Sequence, residues 1–170
     1  MRRPCMRCLI PMVAAMTLAA CSPSSAPANP QELAPGTACA LDGMLLLDYP
    51  GPKAQIHYAD GTVEFFCDTV EMFSIALRPE QKRALRAVYT QDMGKEDWRQ
   101  PRANWIDART AFYVAGSKLR GSMGPTFAAF SRREDAEAFI KQHGGRVLRF
   151  DEVTPEMADL RGGAAHDERM

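Results

Sequence analysis

The stretch AQIHYADGTVEFFCDTVEMFSIAL, residues 54–77, has the pattern of a β-hairpin followed by a helix. Residues 54–66 are rich in strand-forming types, and the pair Asp60-Gly61 interrupts them near the middle. Asp-Gly between two strand-like runs is typical of a hairpin turn. We therefore expect two strands joined by a tight turn in this segment.

A helix is predicted directly after this hairpin. Asp68 is followed three residues later by Glu71, which is the pattern of a capping box at a helix start. Apolar side chains then recur at helical spacing, and the spacing extends the prediction to about Arg86. Those side chains are Val70, Met72, Phe73, Ile75, Ala76 and Leu77. Residues 87–90 are predicted as the strand that follows.

The second half of the chain repeats this order of elements. Ser131 and Glu134 form another capping pattern, and Gly144-Gly145 ends the predicted helix. Strands or glycine-broken extended segments are predicted around that helix at 108–114, 118–130 and 146–150. Both halves are strand, strand, helix, strand, so we expect an α+β fold built from duplicated ββαβ units.

The predicted organisation divides the chain into segments of different character. They are a leader at 1–20, a tether at 21–35, a first ββαβ unit at 36–97, a second unit at 98–160 and a polar tail at 161–170. The tether is rich in serine and proline and is too polar to form a core. Each unit alone is too small for a stable core, so we expect the two units to pack together.

The leader has the three parts of a bacterial signal peptide. Its positive start contains Arg2, Arg3 and Arg7. An apolar run covers about 9–20, which is too short to span a bilayer, and small alanines precede Cys21. This arrangement is typical of lipoproteins, whose cysteine becomes the acylated first residue after cleavage. An ordinary cleaved signal that happens to be followed by cysteine is the alternative.

A lipidated Cys21 would anchor the protein to the periplasmic side of a bacterial membrane. Two acyl chains give stable attachment, whereas one chain gives only marginal attachment. Ser22 at the next position favours the outer membrane, as in similar bacterial lipoproteins. The formal net charge of +0 at pH 7 argues against a nucleic-acid partner.

The motifs do not predict an enzyme. The three histidines, His57, His143 and His166, are scattered, and no nucleophile and base stand at a telling spacing. The sequence has no Walker loop and no GxGxxG pattern. We therefore expect a binding or carrier protein.

Sulfur-containing residues occur at predicted turns and element ends. They are Met44 after a glycine, Met93 and Met123 each before a glycine, and Cys67 directly before the first helix. Thiolate and thioether ligands select Cu(I) over hard cations. Cys67 is the best single candidate, because the amides of a helix start lower the pKa of a thiol there. The sulfur set therefore predicts a Cu(I) site.

Each sulfur also has a plainer interpretation. Met72 lies on the apolar stripe of the first helix, so we expect it in the core. The methionines beside glycine could be ligands or ordinary packing residues. Cys39 could open a ligand loop, or it could form a disulfide with Cys67, as cysteine pairs often do in an oxidising compartment.

Several separated motifs occur in order along the chain. They are Cys39-x-x-Asp42-Gly43-Met44, Phe65-Phe66-Cys67-Asp68 with Met72-Phe73, Gly121-Ser122-Met123-Gly124-Pro125-Thr126-Phe127, and Gly144-Gly145 before a strand. Together with the leader they resemble the NosL family of copper-binding lipoproteins. Many relatives have a second cysteine where this chain has Asp42, which weakens a CxxC-type site and shifts the prediction toward Cys67 with methionines.

The resemblance implies a Cu(I) chaperone of denitrifying bacteria. It implies delivery of copper for the copper-sulfide centre of nitrous oxide reductase, in company with a membrane ABC transporter and its periplasmic partner protein. The ligands that we predict are Cys67, Met44, Met123, Met93 and Cys39. Few ligands on turns would allow hand-over by ligand exchange. Two other classes stay open, namely an adaptor lipoprotein with a structural Cys39–Cys67 disulfide and an enzyme that acts through Cys67.

Overall fold

A computed structural model describes residues 28–160 of the chain. The predicted leader, the lipidation site Cys21 and the polar tail at 161–170 lie outside the described residues. Within 28–160, no helix combines the length and apolar character that crossing a bilayer requires.

The chain forms nine strands and two α-helices over these residues. In order they are β1 Ala54–Tyr58, β2 Val63–Phe66, α1 Thr69–Ala76, β3 Leu85–Gln91, β4 Trp105–Asp107, β5 Phe112–Ala115, β6 Arg120–Gly121, β7 Gly124–Pro125, β8 Ala128–Phe130, α2 Arg133–His143 and β9 Arg146–Arg149. Short 3₁₀ helices at Leu46–Asp48 and Phe150–Glu152 complete the elements.

The strands form two main antiparallel sheets and one small hairpin. The first sheet has the order β2-β1-β3-β4, the second has the order β8-β5-β9, and β6 pairs with β7. In each main sheet, the strand that comes first in the chain lies between the strand that precedes the helix and the strand that follows it. The α+β class is therefore confirmed. The duplicated ββαβ description is not confirmed, because β4 adds a strand to the first sheet and the β6-β7 hairpin is inserted in the second half.

One apolar core joins the two halves, as their small size requires. It contains Ile56 of β1 and Phe73 of α1 together with Tyr113 of β5. The Phe73 ring makes edge contacts with Tyr113, at 4.9 Å between ring centroids, and with Phe127, at 5.2 Å. Met72 is fully buried, which confirms its predicted core position. Helix α1 thus packs between the halves, and the residues at its start are held from both sides.

The first helix begins as predicted but ends early. The Asp68 side chain accepts a hydrogen bond from the Val70 N–H at 3.0 Å, which confirms the cap. The predicted extension to Arg86 is wrong, since α1 ends at Ala76. Pro79 accounts for this, because proline cannot donate an intrahelical hydrogen bond and disfavours helical geometry in the residue before it.

For the second helix, the predicted end is confirmed and the predicted start is wrong. It ends at His143 with Gly144 as its C-cap at φ 73°, which confirms the predicted stop. Its N-cap is Arg132 without a side-chain cap, so the predicted Ser131 cap is wrong. The Ser131 hydroxyl instead donates to Asp92 at 2.5 Å, in the other half of the chain. A long-range partner has replaced the local one.

The end of the predicted tether is attached to the first sheet. Gln55 on β1 accepts a hydrogen bond from the Gln31 N–H at 2.8 Å and donates one to the Gln31 carbonyl at 2.9 Å. The Tyr89 hydroxyl on β3 donates to the carbonyl of Ala28. This segment covers the face of β1 that points away from the core, so all five β1 residues are buried.

Candidate metal centre

Two cysteines that lie far apart in the sequence meet beside the start of α1. Cys39 is 4% exposed, Cys67 is fully buried, and both are free thiols. The ligand atoms of Cys39, Asp42, Cys67 and Glu71 all lie within 4.8 Å of one another. The fold therefore gathers two thiols and two carboxylates in one small volume.

A tight loop places Cys39. Its N–H donates to the Met44 carbonyl at 2.8 Å, and its carbonyl accepts from the Gly43 N–H at 3.0 Å. Gly43 has φ 77°, which glycine adopts without strain. The Ala40 N–H then donates to the Phe65 carbonyl on β2 at 2.8 Å, which fixes this loop against the strand that leads to the second cysteine.

Glu71 links the two thiols, although its sequence pattern predicted only a helix cap. Its Oε2 atom lies 3.2 Å from Sγ of Cys39 and 3.2 Å from Sγ of Cys67. The same oxygen accepts the Cys67 N–H at 3.0 Å. The capping pattern was the available signal, because a glutamate three residues into a helix reaches back toward its start.

The pKa values of the two thiols shift in opposite directions. A hydrogen bond with Cys67 lowers the pKa of Cys39 to about 6, against the opposing effect of burial. The same hydrogen bond and burial raise the pKa of Cys67. The lowered pKa therefore falls on Cys39, whereas the sequence pattern placed it on Cys67.

Two buried ionisable groups lie beside the pair. Burial, followed by the hydrogen bond with Cys39, raises the pKa of Glu71 to about 8. Burial also lowers the pKa of Lys53 to about 8, although neighbouring acidic groups, with Asp68 first, oppose this. Lys53 Nζ donates to the carbonyls of Pro50 at 2.9 Å and Cys67 at 3.1 Å.

The hairpin β6-β7 covers Cys67 from the second half of the chain. The Ser122 hydroxyl donates to the Cys67 carbonyl at 2.8 Å and lies 3.0 Å from its Sγ. The Met123 N–H lies 3.4 Å from Oδ2 of Asp68, and the Thr126 hydroxyl donates to Oδ1 of Asp68 at 2.5 Å. The hairpin is thereby attached to the N-cap of α1.

The structure places the three candidate methionines differently. Met44 is half-buried and packs against the cluster that contains both cysteines. Met123 is 37% exposed on the hairpin that covers Cys67. Met93 lies in a separate apolar cluster with Val114 and Phe130, and its side chain is not brought to the cysteines. The full ligand set stays a prediction.

The donor set fits a soft metal ion. Thiolates are soft ligands that favour Cu(I) and Zn(II), and thioethers such as the one of Met44 add preference for Cu(I). A hard cation would need more oxygen ligands than Asp42 and Glu71 supply. The arrangement can therefore bind copper through sulfur while the rim remains polar and open near exposed Asp42.

The chain is similar to several known proteins. The family model described as NosL matches residues 30–158. The copper-binding lipoprotein NosL of Stutzerimonas stutzeri is 41% identical over 134 residues, covering 76% of this chain and 70% of that protein. The protein of the same name from Achromobacter cycloclastes is also 41% identical over 134 residues, with coverages of 75% and 69%. The crystal structure of the copper chaperone NosL from Shewanella denitrificans has a TM-score of 0.71 and 41% identity, covering 74% of this chain and 96% of that one.

Proposed function

The chain belongs to the NosL family, and on this premise we propose that it is a copper-binding lipoprotein that carries Cu(I) for assembly of the copper-sulfide centre of nitrous oxide reductase. The observation that supports this most strongly is the meeting of Cys39 and Cys67 at one oxygen of Glu71, 3.2 Å from each sulfur. Two converging thiols are the donors that Cu(I) prefers. The proposed role is carriage and transfer, without turnover of a substrate.

The placement of the ligands suits transfer of the ion. Cys39 lies in a loop, and Met123 lies on a short exposed hairpin, so both can shift without breaking a main sheet. A closed site with four fixed ligands would retain its metal. A sulfur or nitrogen of the acceptor enters the coordination sphere before the last thiolate leaves, so copper is never released into solvent.

The anchor places this transfer at a membrane. Acylation of Cys21 would hold the domain on the periplasmic side, with the outer membrane favoured by Ser22. Attachment raises the effective concentration of the carrier near membrane partners. Those partners are an ABC transporter and its periplasmic partner protein.

A denitrifying strain that lacks its own NosL-family protein tests the proposal. The unaltered chain should restore copper to nitrous oxide reductase, measured as copper content and as the absorption spectrum of the purified enzyme. The double variant Cys39→Ser, Cys67→Ser should leave the copper-sulfide centre unassembled while the protein accumulates to normal levels. Normal copper loading with the double variant would refute the proposal.

The adaptor interpretation makes a different prediction. A structural Cys39–Cys67 disulfide would consume both thiols, whereas both are free in this structure. Mass spectrometry after rapid alkylation of periplasmic protein distinguishes the copper carrier from the adaptor. Alkylated cysteines support the copper carrier, and a fully oxidised pair in active cells supports the adaptor.

A further inference from the structure

Lys53 is buried to an unusual degree for a lysine. Its side chain is fully buried directly before β1. Its ammonium donates to two neutral groups, the carbonyls of Pro50 and Cys67, and its backbone amide donates to Gln91 Oε1 at 3.0 Å. Lysines are almost never fully buried unless they are paired, because desolvation of the charge is costly. The fold therefore holds a cation beside the candidate metal centre, and within residues 28–160 no carboxylate accepts a hydrogen bond from it.

The surroundings of this cation are acidic. The groups whose charges act on it are Asp68, Cys67, Glu71 and Cys39, which are the two thiols and the two acids at the start of α1. Its hydrogen bond to the Cys67 carbonyl, at 3.1 Å, fixes the ammonium behind one of the ligands. A positive charge in this position interacts electrostatically with the net charge of the metal ion and its ligands.

That net charge depends on the ion. Two thiolates with a monovalent ion form a centre of charge −1, whereas the same two thiolates with a divalent ion form a neutral centre. Any carboxylate that joins the ligands lowers both values equally, so the difference of one unit remains. A fixed positive charge close by stabilises the more negative centre more strongly, and in a dry environment this effect is large.

We propose that Lys53 makes the centre selective for Cu(I) over divalent ions by supplying a buried positive charge that matches the anionic copper bis-thiolate. This inference rests on the proposed function, because it assumes that both cysteines hold the ion. Lys53 touches no metal in this account and acts only through its charge.

Lys53→Gln is the decisive variant, because its amide is a hydrogen-bond donor that carries no charge. Lys53→Met is a second neutral variant, and Lys53→Arg keeps the charge. Lys95→Gln is the matched control at an exposed lysine, 57% accessible, which pairs with Asp92 away from the thiols. Far-UV circular dichroism and thermal melting of the metal-free proteins establish that each variant is folded.

The measured quantity is the ratio of Cu(I) to Zn(II) affinity, from anaerobic competition titrations of the reduced protein. We expect the ratio to fall about tenfold or more in both neutral variants. We expect it to stay within about twofold of the unaltered protein in Lys53→Arg and Lys95→Gln. An equal loss of both affinities in the neutral variants would assign Lys53 a purely structural role and overturn the proposal.

The same titration separates this inference from the proposed function. If the unaltered protein binds Cu(I) and the neutral variants keep its ratio, the copper role stands and the selectivity role is wrong. If the unaltered protein binds no Cu(I), both are wrong. Should neither neutral variant fold, a tenfold fall of the ratio in Lys53→Arg would overturn the inference, and a retained ratio would support it.

Discussion

A Cβ atom on Gly121 would stand only 2.1 Å from Oδ2 of Asp68. The β6-β7 hairpin therefore passes the N-cap of α1 at a distance that only glycine permits. The Asp68 carboxylate accepts hydrogen bonds from Val70 inside the helix and from Thr126 after the hairpin. One side chain thus caps the helix and attaches the hairpin that covers Cys67.

Gly121→Ala should displace this hairpin. The clash involves a fully buried carboxylate, so we expect a loss of about 2–4 kcal/mol in the free energy of unfolding. Copper affinity should also fall, because Ser122 would move away from Cys67. Gly36→Ala is the control: its Cβ would meet nothing within 4 Å, and only its φ of 86° costs stability, about 1 kcal/mol. Equal losses in the two variants, measured by urea unfolding, would contradict this account.

The methionines can be separated by one conservative substitution. Met44→Leu keeps most of the side-chain volume and removes the thioether beside the cysteines, so we expect Cu(I) affinity to fall about tenfold. Met123→Leu should have a smaller effect of the same sign. Met93→Leu is the matched control in a separate cluster and should bind copper normally. A loss of Cu(I) affinity in the Met93 variant would show that Met93 is a ligand, contrary to this expectation.

Asp92 should make stability depend on pH. Burial alone would raise its pKa, but hydrogen bonds from Ser131, Lys95 and the Gly94 N–H lower it below the ordinary value of 3.8. Its contribution to stability is therefore complete above that value and disappears as the pH falls through the lower pKa of the folded state. Asp92→Asn should cost about 2 kcal/mol at pH 7 and progressively less below about pH 4. Urea unfolding at several pH values measures the cost at pH 7 and its decrease at low pH.

The control for this pH dependence is an exposed aspartate. Asp151→Asn removes a carboxylate at the surface, so it should change stability little at any pH. A cost of Asp92→Asn that stays constant from pH 7 to pH 3 would show that the carboxylate's ionisation contributes nothing.

The attachment of the N-terminal segment rests on Gln55. Gln55→Ala removes both hydrogen bonds to Gln31, so the amides of residues 28–33 should exchange with solvent at least about tenfold faster. Hydrogen exchange followed by mass spectrometry measures this directly. Gln100→Ala at an exposed position is the control. Unchanged exchange in the Gln55 variant would mean that other contacts, such as that of Tyr89 with Ala28, hold the segment.

Local patterns predicted much of the fold. The hairpin at Asp60-Gly61, the cap at Asp68 and the stop at Gly144 are confirmed, because each depends on residues within a few positions. Apolar periodicity alone could not place the end of α1. The local pattern predicted Ser131 as a helix cap, but its hydroxyl donates to Asp92, 39 residues away in the chain. A local pattern carries no information about such a partner.

The sequence indicated some residues of the candidate site but not how they come together, because that depends on partners distant in the chain. Cys67 and Cys39 were candidates from their residue type and position. Their convergence depends on the hydrogen bond between Ala40 and Phe65, which joins separate segments. Lys53 gave no signal, because lysine is usually exposed and only the tertiary structure buries it.

The proposed copper role requires that Cys39 and Cys67 together hold one Cu(I) ion. Anaerobic Cu(I) titration of the reduced protein against a competing chelator measures this, with Cys39→Ala and Cys67→Ala alongside. We expect one tightly bound Cu(I) per molecule and a loss of affinity of about a hundredfold or more in each variant. Stoichiometric tight binding that survives either substitution would contradict the claim.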